Sequence, residues 1–295
     1  MITLCQNLPT STCFKRQYTW KLKYLYVVNS NILVDNMRDN ELEKKLQTVV
    51  NHGANVWVIG DVHGHFQTLQ SLVEKLQLKE KDTVIMLGDL IDRGPTSADV
   101  VKFVKEAENF HSIRGNHEQM MIDGFDDALF FKERNEESRI WYHNGGVVTE
   151  SSYMALYGND TDACENASKD VEWMSTLPTE IVLDNWRFVH AGYNQNHDVE
   201  DQSEVVHMYV RSQFFTSKHA IDSKRTILFG HSPTFKHLHI DDSKAGLVWF
   251  SDVMLDDGRP MAIGLDTCLY HTLELPKVLA AYNIQTNEII YQNRI

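Results

Sequence analysis

Between Arg114 and Glu118 the chain reads RGNHE, four side chains able to do chemistry around one glycine. A surface helix could carry them idly, whereas a site holding metal ions and phosphate would use several. Related residues recur down the chain. Asp61 and His63 stand in GDVHG, Asp89 in GDLIDRG, Asn116 and His117 in RGNHE, His190 in HAG and His231 in GHSP. Carboxylate, amide and imidazole suit Mn²⁺, Fe or Zn²⁺, and no thiolate is among them. Two divalent ions a few ångströms apart need about six such ligands, with one carboxylate bridging. Taken singly, each element has a plainer reading. Asp-x-His is usually an exposed polar pair, Gly-Asp after a strand a turn, and a lone histidine a satisfied core residue. Five elements in order, each directly after an apolar run, favour a shared centre.

Those runs are the elements that must position the ligands. NVWVIGD (55–61), DTVIMLGD (82–89), NFHSIRGN (109–116), NWRFVHAG (185–192) and RTILFGHS (225–232) are short, rich in β-formers, and end in a polar group. Helical patterns lie between the early ones. FQTLQSLVEKLQL places Leu69, Leu72, Val73 and Leu76 on one face. SADVVKFVKEAE (97–108) offers Ser97 as an N-cap, and EQMMIDGFDDALFFKE (118–133) predicts a helix with Gly124 its weak point. This alternation argues for an α/β layout with ligands at the carboxyl ends of strands. VLAAYNIQTNEIIYQ reads as two strands joined near Gln285, Thr286 and Asn287, which adds a more antiparallel layer.

The 295 residues suffice for one large domain or two small ones, and 42% hydrophobic content suits a substantial core. A net charge of -13 disfavours non-specific nucleic-acid binding. Cys5, Cys13, Cys164 and Cys268 are scattered without CxxC pairs, which reads as reduced thiols in a cytoplasmic protein. Residues 1–34 carry Lys15, Arg16, Lys21 and Lys23 and no acid. YLYVVNSNILV (24–34) is too short to span a bilayer, so no membrane partner is expected. Residues 1–36 read as a poorly ordered extension or a misassigned start, ahead of a weak membrane or partner-binding segment. Met37 then opens a charged helical beginning, MRDNELEKKL, and a single domain over 37–295.

The blocks GDVHG, GDLIDRG, RGNHE, HAG and GHSP together resemble the signature of the metallophosphoesterase superfamily. The DRG and RGNHE forms are similar to its phosphoprotein phosphatase branch. RGNHEQMMIDG followed by WYHNGG resembles the bacterial and phage-lambda-type serine/threonine phosphatases. The resemblance covers residues 54–292. It implies a calcineurin-like domain, a two-layer β-sandwich of mixed sheets flanked by helices. It implies two divalent ions, Mn²⁺ ahead of Fe or Zn²⁺. Asp61 and His63 would hold the first, Asp89 would bridge, and Asn116, His190 and His231 would complete the second. His117 would be the general acid with Asp92 polarising its ring, while Arg93 and Arg114 would clamp phosphate. Arg211, in HMYVRSQ, is a further clamp candidate.

These roles make physical sense. A phosphate monoester dianion resists hydroxide until cations neutralise it and lower the pKa of a bridging water towards about 7. Guanidinium forks match the non-bridging oxygens. The expected activity is dephosphorylation of phosphoserine and phosphothreonine in proteins by direct attack of the bridging hydroxide. The alternative is hydrolysis of dinucleoside polyphosphates or other small phosphoesters. Relatives with that activity tend to lack counterparts of Asp92 and Arg114, so their presence favours the protein phosphatase. A catalytically dead phosphate-binding protein would have lost a ligand or His117, and none is lost. Glu118 is expected either to cap and orient its neighbours or to lie on the surface; Met120 and Met121 read as helix packing. GLDTCLYHT has Cys268 where the related block commonly has glycine. Residues 241–262 read as an insertion that decorates the rim.

Overall fold

A computed structural model of the chain describes residues 37–127, 130, 136–239 and 242–295. The expected extension over 1–36 lies outside the described residues, as do residues 128–129 and 131–133 of the expected 118–133 helix.

The unit from Met37 to Ile295 opens with α1 (Asn40–Asn51), where the Asp39 carboxylate caps the N–H groups of Glu41 and Leu42. Strand and helix then alternate: β1 (Val56–Ile59), α2 (Phe66–Leu76), β2 (Thr83–Met86), α3 (Ser97–Glu106), β3 (Phe110–Ser112) and α4 (Asn116–Gly124). A helical run follows, with α5 (Glu136–Trp141), a wide π-type turn over Tyr142–Gly146, α6 (Val147–Tyr157) and α7 (Asp160–Thr176). The second half carries β4 (Glu180–Val182), β5 (Trp186–Val189), α8 (Glu204–Tyr209), α9 (Ser212–Phe215), β6 (Thr226–Phe229), β7 (Trp249–Phe250), β8 (Ala262–Gly264), β9 (Val278–Asn283) and β10 (Ile289–Asn293). Among the described residues no helix is long and apolar enough to cross a membrane.

The strands form two mixed sheets, ordered β10-β9-β1-β2-β3 and β4-β5-β6-β8-β7. In the first, β1, β2 and β3 are parallel, while β9 and β10 add an antiparallel hairpin. In the second, β5, β6 and β8 are parallel, with β4 and β7 antiparallel at the edges. Strand parity divides the core. Val56, Val58 and Ile85 meet Phe188, Leu228 and Ile263 between the sheets. The alternate residues Trp57, Ile59, Val84 and Met86 pack against Leu69, Leu72, Val100 and Val101 of the helices. Val189, Ile227 and Phe229 pack outward against Phe214 and Tyr193. Because a strand's side chains alternate with period two, strands covered on both faces must be apolar throughout. The result is a two-layer β-sandwich flanked by helices.

Three local expectations are corrected. Ser97 is the first residue of α3 rather than its cap; its Oγ instead accepts from the Asp92 N–H at 3.0 Å. The helix that follows RGNHE stops at Gly124, and Phe125 turns to extended backbone with φ -75 and ψ 132. The 241–262 segment is not merely a solvated rim. It supplies edge strand β7 and buries Val248 and Leu255, although Phe250 and Met254 stay exposed.

Candidate active site

The parallel strands aim their carboxyl ends at one place. Asp61 follows β1, Asp89 follows β2, Asn116 follows β3, His190 follows β5 and His231 follows β6, all within four residues of the strand end. There they meet. His63 Nε2 lies 3.5 Å from Asp89 Oδ2 and 3.9 Å from Asp61 Oδ2. His190 Nε2 lies 3.3 Å from Asp89 Oδ1 and 3.0 Å from Asn116 Oδ1. The His231 ring is 5.0 Å from that of His190, and the His231 N–H donates to both Asp61 oxygens at 3.1 Å. Two groups of donor atoms result, His63–Asp89–His117 and Asp89–His190–His231, each within 4.8 Å. Asp89 belongs to both and turns a different oxygen towards each.

The backbone here is held away from its relaxed state. His63, Asp89, Asp92, Arg93, His231 and Cys268 all have positive φ, from 45 to 73. A left-handed L-residue costs roughly 1–2 kcal/mol, so surrounding bonds must hold each one. For Asp89 that bond source is Glu118. Its buried carboxylate accepts from the N–H groups of Asp89, Leu90 and Gly115, each at 2.8 Å. Glu118 therefore orients its neighbours and has no surface role. Gly115 is required beside it, since a Cβ there would stand 2.4 Å from Asp89 Oδ1.

Hydrogen bonding also sets the ring tautomers. His63 Nδ1 donates to the Ile91 carbonyl at 2.8 Å, which leaves Nε2 as a bare acceptor. His190 Nδ1 donates to the Leu87 carbonyl at 2.7 Å, which points Nε2 at Asp89. Burial lowers the pKa of His63, and the charges of Arg93 and His117 lower it further. His231 is lowered by burial, then by His190 and Arg211. Burial also raises the Asp61 carboxyl, helped by Asp266 and Asp89. Asp89 goes the other way. Burial opposes its charge, but His190, His117 and His63 outweigh that and hold it well below the usual carboxylate range. In return, and against its own burial, His190 is raised to about 9 by Asp89 and Asp61.

Two buried carboxylates thus hold a proton on an imidazole whose geometry suits a cation. A third carboxylate adds to the demand. Asp266 is 1% exposed, and its Oδ2 has no hydrogen-bond partner among the described residues. Replacing protons by divalent cations would neutralise this cluster, so the donor set fits metal binding.

Of the remaining expected residues, His117 donates through Nδ1 to Asp92 Oδ2 at 2.6 Å, with both side chains buried. Arg93 reaches the cluster directly. Its Nη1 and Nη2 donate to the Nε2 atoms of His63 (2.6 Å) and His117 (2.8 Å). Its guanidinium also lies 4.0 Å over the Tyr270 ring. Arg211 donates to the His231 carbonyl at 2.9 Å and to Ser232 Oγ at 3.2 Å. Arg114 is tied differently, with bonds running to Glu204 (3.2 Å) and the Ser175 carbonyl (3.4 Å). Asp266 and Tyr270 were not legible as site residues. Asp266 also follows a parallel strand, β8, but the apolar run before it is short. Tyr270 carries no signal of its own.

A cluster of imidazole, carboxylate and amide donors at the strand ends of two packed mixed sheets is the arrangement of a metallophosphoesterase. The chain belongs to the calcineurin-like phosphoesterase family, whose model matches residues 54–256. It is 32% identical over 217 residues to serine/threonine-protein phosphatase 1 of Salmonella typhimurium, spanning 71% of this chain and 94% of that protein. It is 38% identical over 96 residues to serine/threonine-protein phosphatase 2 of Escherichia coli, a match covering 32% of this chain and 40% of that protein. It is also 38% identical over 69 residues to the symmetrical bis(5'-nucleosyl)-tetraphosphatase of Coxiella burnetii, covering 23% of this chain and 24% of that protein. The chain is a phosphoester hydrolase, and the family and the donor clusters point to divalent metals.

Proposed function

We propose that this protein removes phosphate from phosphoserine and phosphothreonine in proteins. The observation that carries the reading is the buried His117–Asp92 pair, set against Asp89 with His117 Nε2 3.9 Å from its Oδ2. Asp61, His63, Asp89, Asn116, His190 and His231 would hold two ions, Mn²⁺ by preference and Fe or Zn²⁺ otherwise. When bound, such ions supply positive charge for the phosphate dianion and acidify water.

The chain's own residues do the rest. Arg93, exposed and in reach of both rings, offers two N–H groups to phosphate oxygens. Arg211, tied to the His231 carbonyl, would bring a second guanidinium to the phosphate. Arg114 would join the clamp by giving up Glu204. Once Arg93 turns its N–H groups from the rings to phosphate, His117 Nε2 is free to take up a proton and pass it to the leaving oxygen, and Asp92 keeps Nδ1 engaged so that Nε2 faces the ester. A serine or threonine alkoxide is a poor leaving group, so a positioned proton is worth about 10²–10⁴-fold. The same reading takes 37–295 as one catalytic domain in a cytoplasmic setting. The match to 94% of a protein named as a serine/threonine phosphatase supports it. The tetraphosphatase match, over 24% of that protein, supports a second reading, hydrolysis of dinucleoside polyphosphates.

The test assays the full-length protein with Mn²⁺ against a phosphoserine peptide, a phosphotyrosine peptide and diadenosine tetraphosphate. The phosphoserine peptide should give the highest kcat/KM; faster turnover of diadenosine tetraphosphate would reverse the proposal. His117→Asn should slow the phosphoserine peptide about 10²–10⁴-fold while p-nitrophenyl phosphate, whose leaving group needs little protonation, falls far less. Equal losses on both would remove the general-acid role.

A further inference from the structure

WYHNGG, residues 141–146, is the one block in the chain that the reaction as described leaves without a task. It lies against the DRG loop. Trp141 is fully buried and its Nε1 donates to Asp92 Oδ1 at 3.0 Å. Thr149, one turn further on in α6, donates through Oγ1 to the same oxygen at 2.6 Å. The hydroxyl of Thr149 also accepts from the Asp92 N–H at 2.9 Å, so one side chain grips both ends of this residue. The glycines make the approach possible. A Cβ on Gly145, whose φ is 118, would stand 2.8 Å from the Arg93 nitrogen. A Cβ on Gly146 would stand 2.6 Å from the Trp141 ring.

We propose that Trp141 and Thr149 are positioning residues for the proton-donating pair, fixing the Asp92 carboxylate so that Oδ2 alone is left for His117 Nδ1. The inference rests on the general-acid reading of His117 given above. A carboxylate's last torsion is soft, so an Asp92 held only by His117 would rotate and exchange its oxygens. Two donors on Oδ1 fix the carboxylate plane, and the plane fixes the ring. Asp92 has φ 73, and bonds on both its main chain and its side chain offset the cost of that conformation. Thr149 supplies one of each. Bulk solvent does not reach these bonds, because Asp92, Trp141 and Thr149 are fully buried and His117 is 1% exposed.

The decisive variants are Thr149→Val, which keeps the shape and deletes the hydroxyl, Thr149→Ser, which restores it, and Trp141→Phe. Each is assayed in the full-length Mn²⁺ enzyme beside His117→Asn. Thr149→Val and Trp141→Phe should each lower kcat on a phosphoserine peptide about tenfold. The same variants should lower kcat on p-nitrophenyl phosphate less than about threefold, and Thr149→Ser should recover most of the loss. KM should stay within about twofold, since neither residue meets the substrate.

A second measurement is independent of the chemistry: the downfield proton resonance of the His117 Nδ1–H bond, assigned by its absence in His117→Asn. It should shift and exchange faster in Thr149→Val and return in Thr149→Ser. An undisturbed resonance together with equal losses on both substrates in Thr149→Val would overturn the inference. If His117→Asn itself loses both substrates equally, the general-acid reading falls. The resonance then still decides whether Thr149 and Trp141 hold Asp92 to the ring.

Discussion

Glutamine at position 118 puts an amide NH₂ where every neighbour is a donor. In the native protein Glu118 Oε2 accepts from Asp89 and Gly115 and Oε1 accepts from Leu90, all at 2.8 Å and all buried. The best placement of the glutamine oxygen keeps the first two bonds and confronts the Leu90 N–H with another donor. A lost bond to a charged group costs about 1.5–3 kcal/mol, and the two survivors, now uncharged, lose roughly 0.5–1 kcal/mol each. One effect works the other way. Burial and then the charge of Asp89 push the Glu118 carboxyl above its usual pKa range, so a neutral side chain relieves some of that penalty.

The net expectation for Glu118→Gln is a loss of about 2–4 kcal/mol, a large share of the 5–15 kcal/mol typical of a domain. Urea unfolding of the metal-free protein, followed by tryptophan fluorescence, measures it as a lower midpoint at constant m. The bond that holds Asp89 at φ 50 would survive only in its weaker, uncharged form, with the neighbouring Leu90 bond gone. Mn²⁺ affinity by calorimetry should therefore fall about tenfold, in line with other changes to residues that support a metal ligand. A stability loss under about 1 kcal/mol with unchanged Mn²⁺ affinity would refute the argument that Glu118 braces the Asp89 turn.

Two further outcomes are expected. His207 is buried, its Nδ1 meets Thr179 Oγ1 at 3.0 Å, and burial, then Arg187, lowers its pKa to about 4. Above about pH 6.5 the ring is neutral folded or unfolded and contributes nothing; from there down to pH 4 the unfolded chain takes up a proton that the folded one refuses. Stability should fall by about 3 kcal/mol across that window, and His207→Phe should flatten that part of the urea midpoint against pH. Asp266→Asn removes a buried charge beside Asp61 and should weaken Mn²⁺ binding about tenfold by calorimetry; unchanged or tighter binding would mean that the Asp266 charge does not help to hold the ions.

Much of the site could be read from residues alone, because its parts sit at the ends of apolar runs. A strand buried on both faces must be apolar, so a polar group directly after one is conspicuous, and β1, β2, β3, β5 and β6 each announce a candidate ligand this way. The hairpin of β9 and β10 was legible for a similar reason, with Asn287 at φ 60 in its turn. β4, β7 and β8 were not. They have two or three residues each, too few for any period to show. They owe their place to neighbouring strands. The RGNHE helix was read too long because its apolar residues continue past Gly124, and only the turn at Phe125 ends it.

The chain by itself determined which side chains are available: the aspartates, histidines and asparagine, their order, and the glycines that let the backbone pass close to them. These are local matters of composition and strand parity. Tertiary structure decided what those side chains do to each other. It placed Asp89 between two histidine groups, gave Glu118 three backbone donors to hold, aimed Trp141 and Thr149 at Asp92, and tied Arg114 to Glu204. Such contacts join segments tens of residues apart. Their strength depends on burial and direction, which no spacing along the chain encodes.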